Sequence, residues 1–176
     1  MYLSDNQILE AIQKKELVIS DFDPARLGGV SYDVLLGNRI IVTDLAKTNC
    51  IDPVNKIFPK TIEVNLSDDE EYILHPGNSI LAEIWDNVGT NSNILIQLSG
   101  KSSLARIGLT VHNTAGIINP GHFLNVILEL TNLNKVPIIL RPKMPIAQFL
   151  FSRLTSIPSK MYGSFGHYNE NNFKVN

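Results

Sequence analysis

Between Leu98 and Arg106 the chain reads Leu-Ser-Gly-Lys-Ser-Ser-Leu-Ala-Arg, which puts the hydroxyls of Ser102 and Ser103 and the cations of Lys101 and Arg106 directly after a glycine. That combination suits an anion. If Ser102 opens a short helix, its first backbone N–H groups and Ser103 face a phosphate, and Arg106 lies one turn later on the same side. The run is not a Walker sequence, and a serine-capped turn at a strand end also occurs in proteins that bind no phosphate. The second candidate is Glu129, in Asn125-Val126-Ile127-Leu128-Glu129-Leu130-Thr131. In a strand, Leu128 and Leu130 take the opposite face, so this carboxylate either points to solvent or is held inside a site.

The elements that must position these groups are mostly strands. Short segments rich in β-branched residues recur at 39–43, 61–66, 71–74, 79–85, 93–99, 125–131 and 136–140, punctuated by Pro76-Gly77, Gly100, Pro120-Gly121 and Pro137. No helices of ten to fifteen residues alternate with them, so the expectation is a mainly β sandwich or distorted barrel rather than a doubly wound sheet. One helix opens the chain: Ser4 with Gln7 makes a capping box, Leu3 and Ile8 a staple, and Ile8, Leu9 and Ile12 one face, which predicts a helix from Asp5 to Lys14. The last residues, from Met161 onward, are rich in Gly, Asn and aromatics. They read either as a frayed end or as a lid with glycine hinges and stacking rings.

Composition narrows the class. At 176 residues with 44% hydrophobic, the chain can bury roughly 70% of its unfolded surface in a single core. Fifteen Lys+Arg against seventeen Asp+Glu give a net charge of −2 without a basic block, which argues against a nucleic-acid partner. The charged opening segment and the lack of an 18-residue apolar run predict no signal peptide and no membrane association, hence a cytoplasmic protein. The single cysteine, Cys50, excludes an intrachain disulfide and a Cys-pair zinc site. His75, His112, His122 and His167 show no ligand spacing, Trp85 reads as packing, and Asp68 to Glu71 as a solvated turn.

Taken together, Gly100 to Leu109, Thr114 to Gly121, Leu128-Glu129-Leu130 and Pro142 to Gln148 resemble the dCTP deaminase family of the dUTPase-like superfamily. Leu3-Ser4-Asp5, Ser31-Tyr32-Asp33, Leu36-Gly37 and Pro76-Gly77 are similar to that family as well, so the resemblance spans nearly the whole chain. It implies a distorted dUTPase-like β-barrel with the amino-terminal helix and a short helix after Gly100, over residues 1–158. Residues 159–176 would be a flexible carboxy-terminal lid. It further implies a homotrimer with sites at subunit interfaces, dCTP and dUTP as nucleotides, Mg²⁺ carried by the triphosphate with no metal site of the protein's own, and deamination at C4 without zinc. The lone cysteine agrees, because zinc deaminases need a cluster of Cys and His.

The resemblance also assigns roles. Glu129 would be the general base and acid, Ser102 and the Ala115 carbonyl would fix the water, and Arg106 would orient Glu129 and touch phosphate. Lys101, Ser102, Ser103, Leu104, Ala105 and Arg106 would cradle the phosphates. Ile127 and Leu128 would offer backbone to the base, with Gln148, Tyr162, Tyr168 and Asn171 completing the contacts. The sequence departs from the family pattern where Asn119 stands for the Asp at the sugar 3′-hydroxyl and where His122-Phe123-Leu124 replaces an aromatic-x-Gly run, and in the tail Asn169 and Asn171 replace glutamines. Asn can hold a hydroxyl but is a poor base, so dUTP is the expected product. Gly116, followed by Ile117, instead resembles members that continue to dUMP and pyrophosphate, which leaves that bifunctional reaction as the alternative. A nucleotide-sensing trimer without turnover is a third reading.

Overall fold

Ser4 caps the first helix as its spacing predicts: its N–H donates to Gln7 Oε1 at 3.0 Å, and the helix α1 runs over Asp5–Gln13. Leu3 and Ile8 are buried together, with Ala11 on the same face. The computed structural model describes residues 1–160, the Leu124 side chain excepted. His167, Tyr162, Tyr168, Asn171 and most of the expected lid lie outside the described residues.

The remaining elements are strands, two short helices and their turns. The strands are β1 (Leu17–Ile19), β2 (Tyr32–Thr43), β3 (Thr61–Asn65), β4 (Tyr72–Leu74), β5 (Ser79–Thr90), β6 (Ile94–Gly100), β7 (Leu109–Thr110), β8 (Ile117–Ile118), β9 (Phe123–Asn132), β10 (Ile138–Leu140) and β11 (Pro145–Arg153). A 3₁₀ turn covers Pro24–Arg26, and α2 covers Ser102–Arg106. The main sheet runs β7-β9-β5-β2-β11-β6-β8, with β1 added on β5 and β3 on β2; β4 and β10 form a separate ribbon. Every ladder among the described residues is antiparallel, and the sheet curls into a half-barrel. Its concave side holds Tyr32, Phe149 and Phe151 with Leu36, Ile40, Ile84, Ile94 and Ile96.

Two of the expected strands are longer than their alternation suggests. The segment expected at 39–43 begins at Tyr32, because a register shift between Leu36 and Ile40 absorbs Gly37 and Asn38. The one expected at 79–85 continues to Thr90 across a second shift between Glu83 and Asn87. Four strands carry no adequate local signal. β1, β7 and β8 are two or three residues long, and β11 follows Pro142 and starts on Pro145 although it lies between β2 and β6.

Asp86 falls on the buried face of β5 in alternation with Ile80, Ala82, Ile84 and Val88, and is 2% exposed. Arg26 meets it with two hydrogen bonds, Nη1 to Oδ2 at 2.7 Å and Nη2 to Oδ1 at 3.0 Å. The guanidinium also lies 4.7 Å from the Tyr32 ring centroid, and Phe22 stacks on Tyr32 at 5.3 Å. Burial pushes the Tyr32 phenol up to about 12, and its oxygen accepts the Asp23 N–H at 3.0 Å. This clamp ties the 20–31 segment to β5 and thereby sets where β2 begins. No helix of the described residues is long and apolar enough to cross a membrane.

Candidate active site

Three neighbouring strands set one side of the site. Gln148 on β11 is in register with Asp33 on β2 and with Ser99 on β6, so these residues form one row across the sheet. Gln148 Nε2 donates to the Gly100 carbonyl at 3.5 Å, and Lys101 Nζ pairs with Asp33 Oδ2 at 2.5 Å. The helix expected to open at Ser102 does so. Leu104 anchors it against the core, while Ser102, Ser103, Ala105 and Arg106 stay exposed. The Ser102, Ser103 and Arg106 side chains have no hydrogen-bond or ion-pair partner among the described residues.

Gly108 ends this helix at φ +82°, where a Cβ would sit 2.9 Å from the Asn134 backbone nitrogen. Its N–H donates to the Ala105 carbonyl at 3.0 Å, and its carbonyl accepts from Leu133 N–H at 2.8 Å. Asn134 Nδ2 adds a bond to the Ile107 carbonyl at 2.9 Å. The end of α2 is therefore docked on the turn that follows β9, the strand carrying Glu129.

Glu129 lies between the buried Leu128 and Leu130, opposite Leu81 of β5. It is half-buried, and its Oε2 accepts the Asn113 N–H at 3.2 Å. The carboxylate is thus tied to the 111–116 segment at Asn113. β7 covers the outer edge of β9 only at Thr131 and Asn132. From Asn125 to Leu130 that edge has no strand partner among the described residues, so alternate backbone N–H and C=O groups there can meet a ligand. Ile127 and Leu128 lie in this stretch, paired on the other side with Glu83 and Ala82. Within one protomer no hydrogen bond or ion pair among the described residues joins Glu129 to Ser102 or Arg106.

The loop between α2 and β9 closes the site. Ala115 is exposed; the Gly116 carbonyl accepts Leu98 N–H at 2.8 Å. A Cβ at 116 would approach the Leu98 oxygen and His112 Cε1 to 3.2 Å each, so a side chain there would require its neighbours to give by a few tenths of an ångström. Ile117 is exposed on β8, in register with Gln97. Asn119 is half-buried in a turn whose ends bond to β5: Gly121 N–H to the Thr90 carbonyl, and Thr90 N–H to the His122 carbonyl, each at 3.1 Å. Burial pushes the His122 imidazole below its ordinary range.

Two contributors escape a reading of residue types. Asn113 acts through its backbone N–H, which any residue supplies, and Asp33 gains its place through cross-strand register with Gln148. No group of three or more His, Cys, Asp or Glu is gathered for a metal among the described residues. The oxygen donors at α2 are the Ser102 and Ser103 hydroxyls, which suit a hard cation carried by a phosphate chain rather than one caged by the protein.

A family model described as dCTP deaminase-like matches residues 2–154. A Halobacterium salinarum protein named "dCTP deaminase, dUMP-forming" is 38% identical over 167 residues, covering 93% of this chain and 86% of that protein. A Pseudarthrobacter chlorophenolicus protein of the same name is 39% identical over 168 residues, covering 96% and 87%. Among solved structures, 2′-deoxycytidine 5′-triphosphate deaminase from Agrobacterium tumefaciens is similar in fold at a TM-score of 0.67 and 19% identity, over 88% of this chain. The chain spans about half of that longer chain, 49% of its length. With the sequence match running from Tyr2 to Leu154, through both the α2 segment and the Glu129 strand, the chain belongs to the dCTP deaminase-like family.

Proposed function

We propose that this protein is a dCTP deaminase, hydrolysing the C4 amine of dCTP to give dUTP and ammonia without zinc. The observation that carries the reading is Glu129 itself: a half-buried carboxylate, fixed by the Asn113 N–H, beside an uncovered stretch of β9. An open strand edge can hydrogen-bond a pyrimidine through the backbone of Ile127 and Leu128. A carboxylate on the same stretch then serves as the proton carrier.

In the reaction, Glu129 takes a proton from water as the oxygen attacks C4 and delivers it to N3. It then moves a proton from the new hydroxyl to the departing amine, so that dCTP and water become dUTP and ammonia. Ser102 and the Ala115 carbonyl hold the water, and Arg106 orients the carboxylate and contacts phosphate. Positioning supplies most of the acceleration. Lys101 to Arg106 cradle the triphosphate, Gln148 completes the nucleotide contacts, and Asn119 binds the sugar 3′-hydroxyl. Mg²⁺, carried by the triphosphate and reachable by the Ser102 and Ser103 hydroxyls, would neutralise part of its charge. No hydrogen bond or ion pair joins Ser102 or Arg106 to Glu129 among the described residues of one protomer, which accords with a complete site shared between subunits of a homotrimer. Residues 1–158 would form the barrel and 159–176 the lid, with Tyr162, Tyr168 and Asn171 over the nucleotide, in a cytoplasmic enzyme.

A second reading continues the reaction to dUMP and pyrophosphate. It is favoured by the names of the two relatives and by glycine at 116, where a Cβ would be tight against Leu98 and His112. Asn119 opposes it, because an amide does not accept the proton of a water attacking phosphorus. The test of the shared first step is ammonia release from dCTP by the parent and Glu129→Gln proteins, with dCTP binding measured in parallel. The variant should bind within threefold of the parent and lose turnover by at least a thousandfold; turnover within tenfold removes Glu129 from its role.

A further inference from the structure

We propose that Asp33 is a positioning residue for the phosphate cradle and acts through Lys101. The inference rests on the deaminase reading and extends it to a residue that touches no nucleotide atom itself. Tyr32 and Val34 on either side of Asp33 are each 1% exposed, so the strand holds the carboxylate rigidly on the opposite face. From there Oδ2 takes the Lys101 ammonium at 2.5 Å. The neighbouring residue in the same row, Gln148, holds the Gly100 carbonyl. The backbone just before Lys101 and the side chain of Lys101 are therefore fixed by one row of the sheet.

A lysine has four rotatable bonds to freeze when it grips a phosphate, and a contact made beforehand removes that cost from binding. The ammonium has three donors and Asp33 occupies one, so the others stay available to a polyphosphate. The Lys101 side chain remains 23% exposed, enough for a ligand to reach it. If Asp33 were instead a competitor for Lys101, its removal would tighten binding. The two roles differ in sign.

The experiment measures KM and kcat for dCTP, with Mg²⁺, in the parent, Asp33→Asn, Lys101→Met and double variants, each first shown to unfold cooperatively. Asp33→Asn should raise KM about tenfold with kcat within twofold, and in the Lys101→Met background it should raise KM no further. Three results overturn the inference: a KM in Asp33→Asn that is lowered or within twofold of the parent, effects that multiply in the double variant, or a loss of Tm and kcat with KM unchanged. With normal parent turnover these results strike this inference alone. A parent protein that neither binds nor deaminates dCTP overturns the deaminase reading and this inference with it.

Discussion

Asp86→Asn removes one charge from the Arg26–Asp86 pair and keeps its shape. The pair is among the least hydrated in the chain, with side chains 11% and 2% exposed and two hydrogen bonds of 2.7 and 3.0 Å between them. The amide leaves a guanidinium half-satisfied at a site that is only 11% exposed, although the Asp21 carbonyl still accepts from Nη2. Breaking a buried pair from one side costs about 3–5 kcal/mol. The retained Asp21 bond and Tyr32 ring argue for the lower end, about 3 kcal/mol. For a domain of this length each kcal/mol is worth roughly 2–4 °C, so Tm should fall by about 6–12 °C. Differential scanning calorimetry at one fixed protein concentration reads this, because subunit association would otherwise move Tm on its own. The variant Arg26→Met/Asp86→Leu should recover a good part of the loss, since neither charge is then buried. A Tm for Asp86→Asn within 2 °C of the parent, roughly the worth of 1 kcal/mol or less, would refute the clamp.

Other outcomes follow from the same structure. The Tyr32 phenol is raised from its usual 10 to about 12, so its contribution to stability is complete below pH 10 and is lost as the pH climbs through 12. Tm plotted against pH over that interval should fall less steeply in Tyr32→Phe than in the parent; parallel curves would assign the alkaline loss elsewhere. Gly108→Ala combines a left-handed backbone with a Cβ 2.9 Å from Asn134 N, and should lower stability by about 1–3 kcal/mol in urea unfolding. An unchanged midpoint would mean that the turn after α2 relaxes freely. Sedimentation equilibrium should give a trimer, and a stable monomer with full activity would contradict a site shared between subunits.

What was legible in the sequence was what local chemistry determines. Ser4 and Gln7 lie three residues apart and make a capping box wherever the helix packs, and the alternation around Glu129 assigns its face without knowledge of the neighbours. The helix α2 does begin at Ser102, but Lys101 occupies its N-cap position and no side chain caps it, so the serine-cap signal is not what starts it. The strand β11 was hidden because Pro142 precedes it, Pro145 opens it, and its apolar run marks burial without periodicity. Arg26 and Asp86 are 60 positions apart, and only the fold brings the guanidinium to the carboxylate that alternation places on the buried face of β5. The Asn113 N–H on Glu129 and the Asp33–Lys101 pair belong to this second kind, set by topology rather than by residue type.

The central claim is tested by incubating the full-length protein with dCTP and Mg²⁺ and separating the products over time while ammonia is measured. The account predicts one ammonia released per dCTP consumed, with dUTP accumulating and pyrophosphate lagging far behind. Release of dUMP and pyrophosphate in step with ammonia would replace the product assignment with the bifunctional reaction. Intact dCTP and no ammonia, from protein that is folded and binds the nucleotide, would contradict the assignment of Glu129 and its open strand edge to deamination.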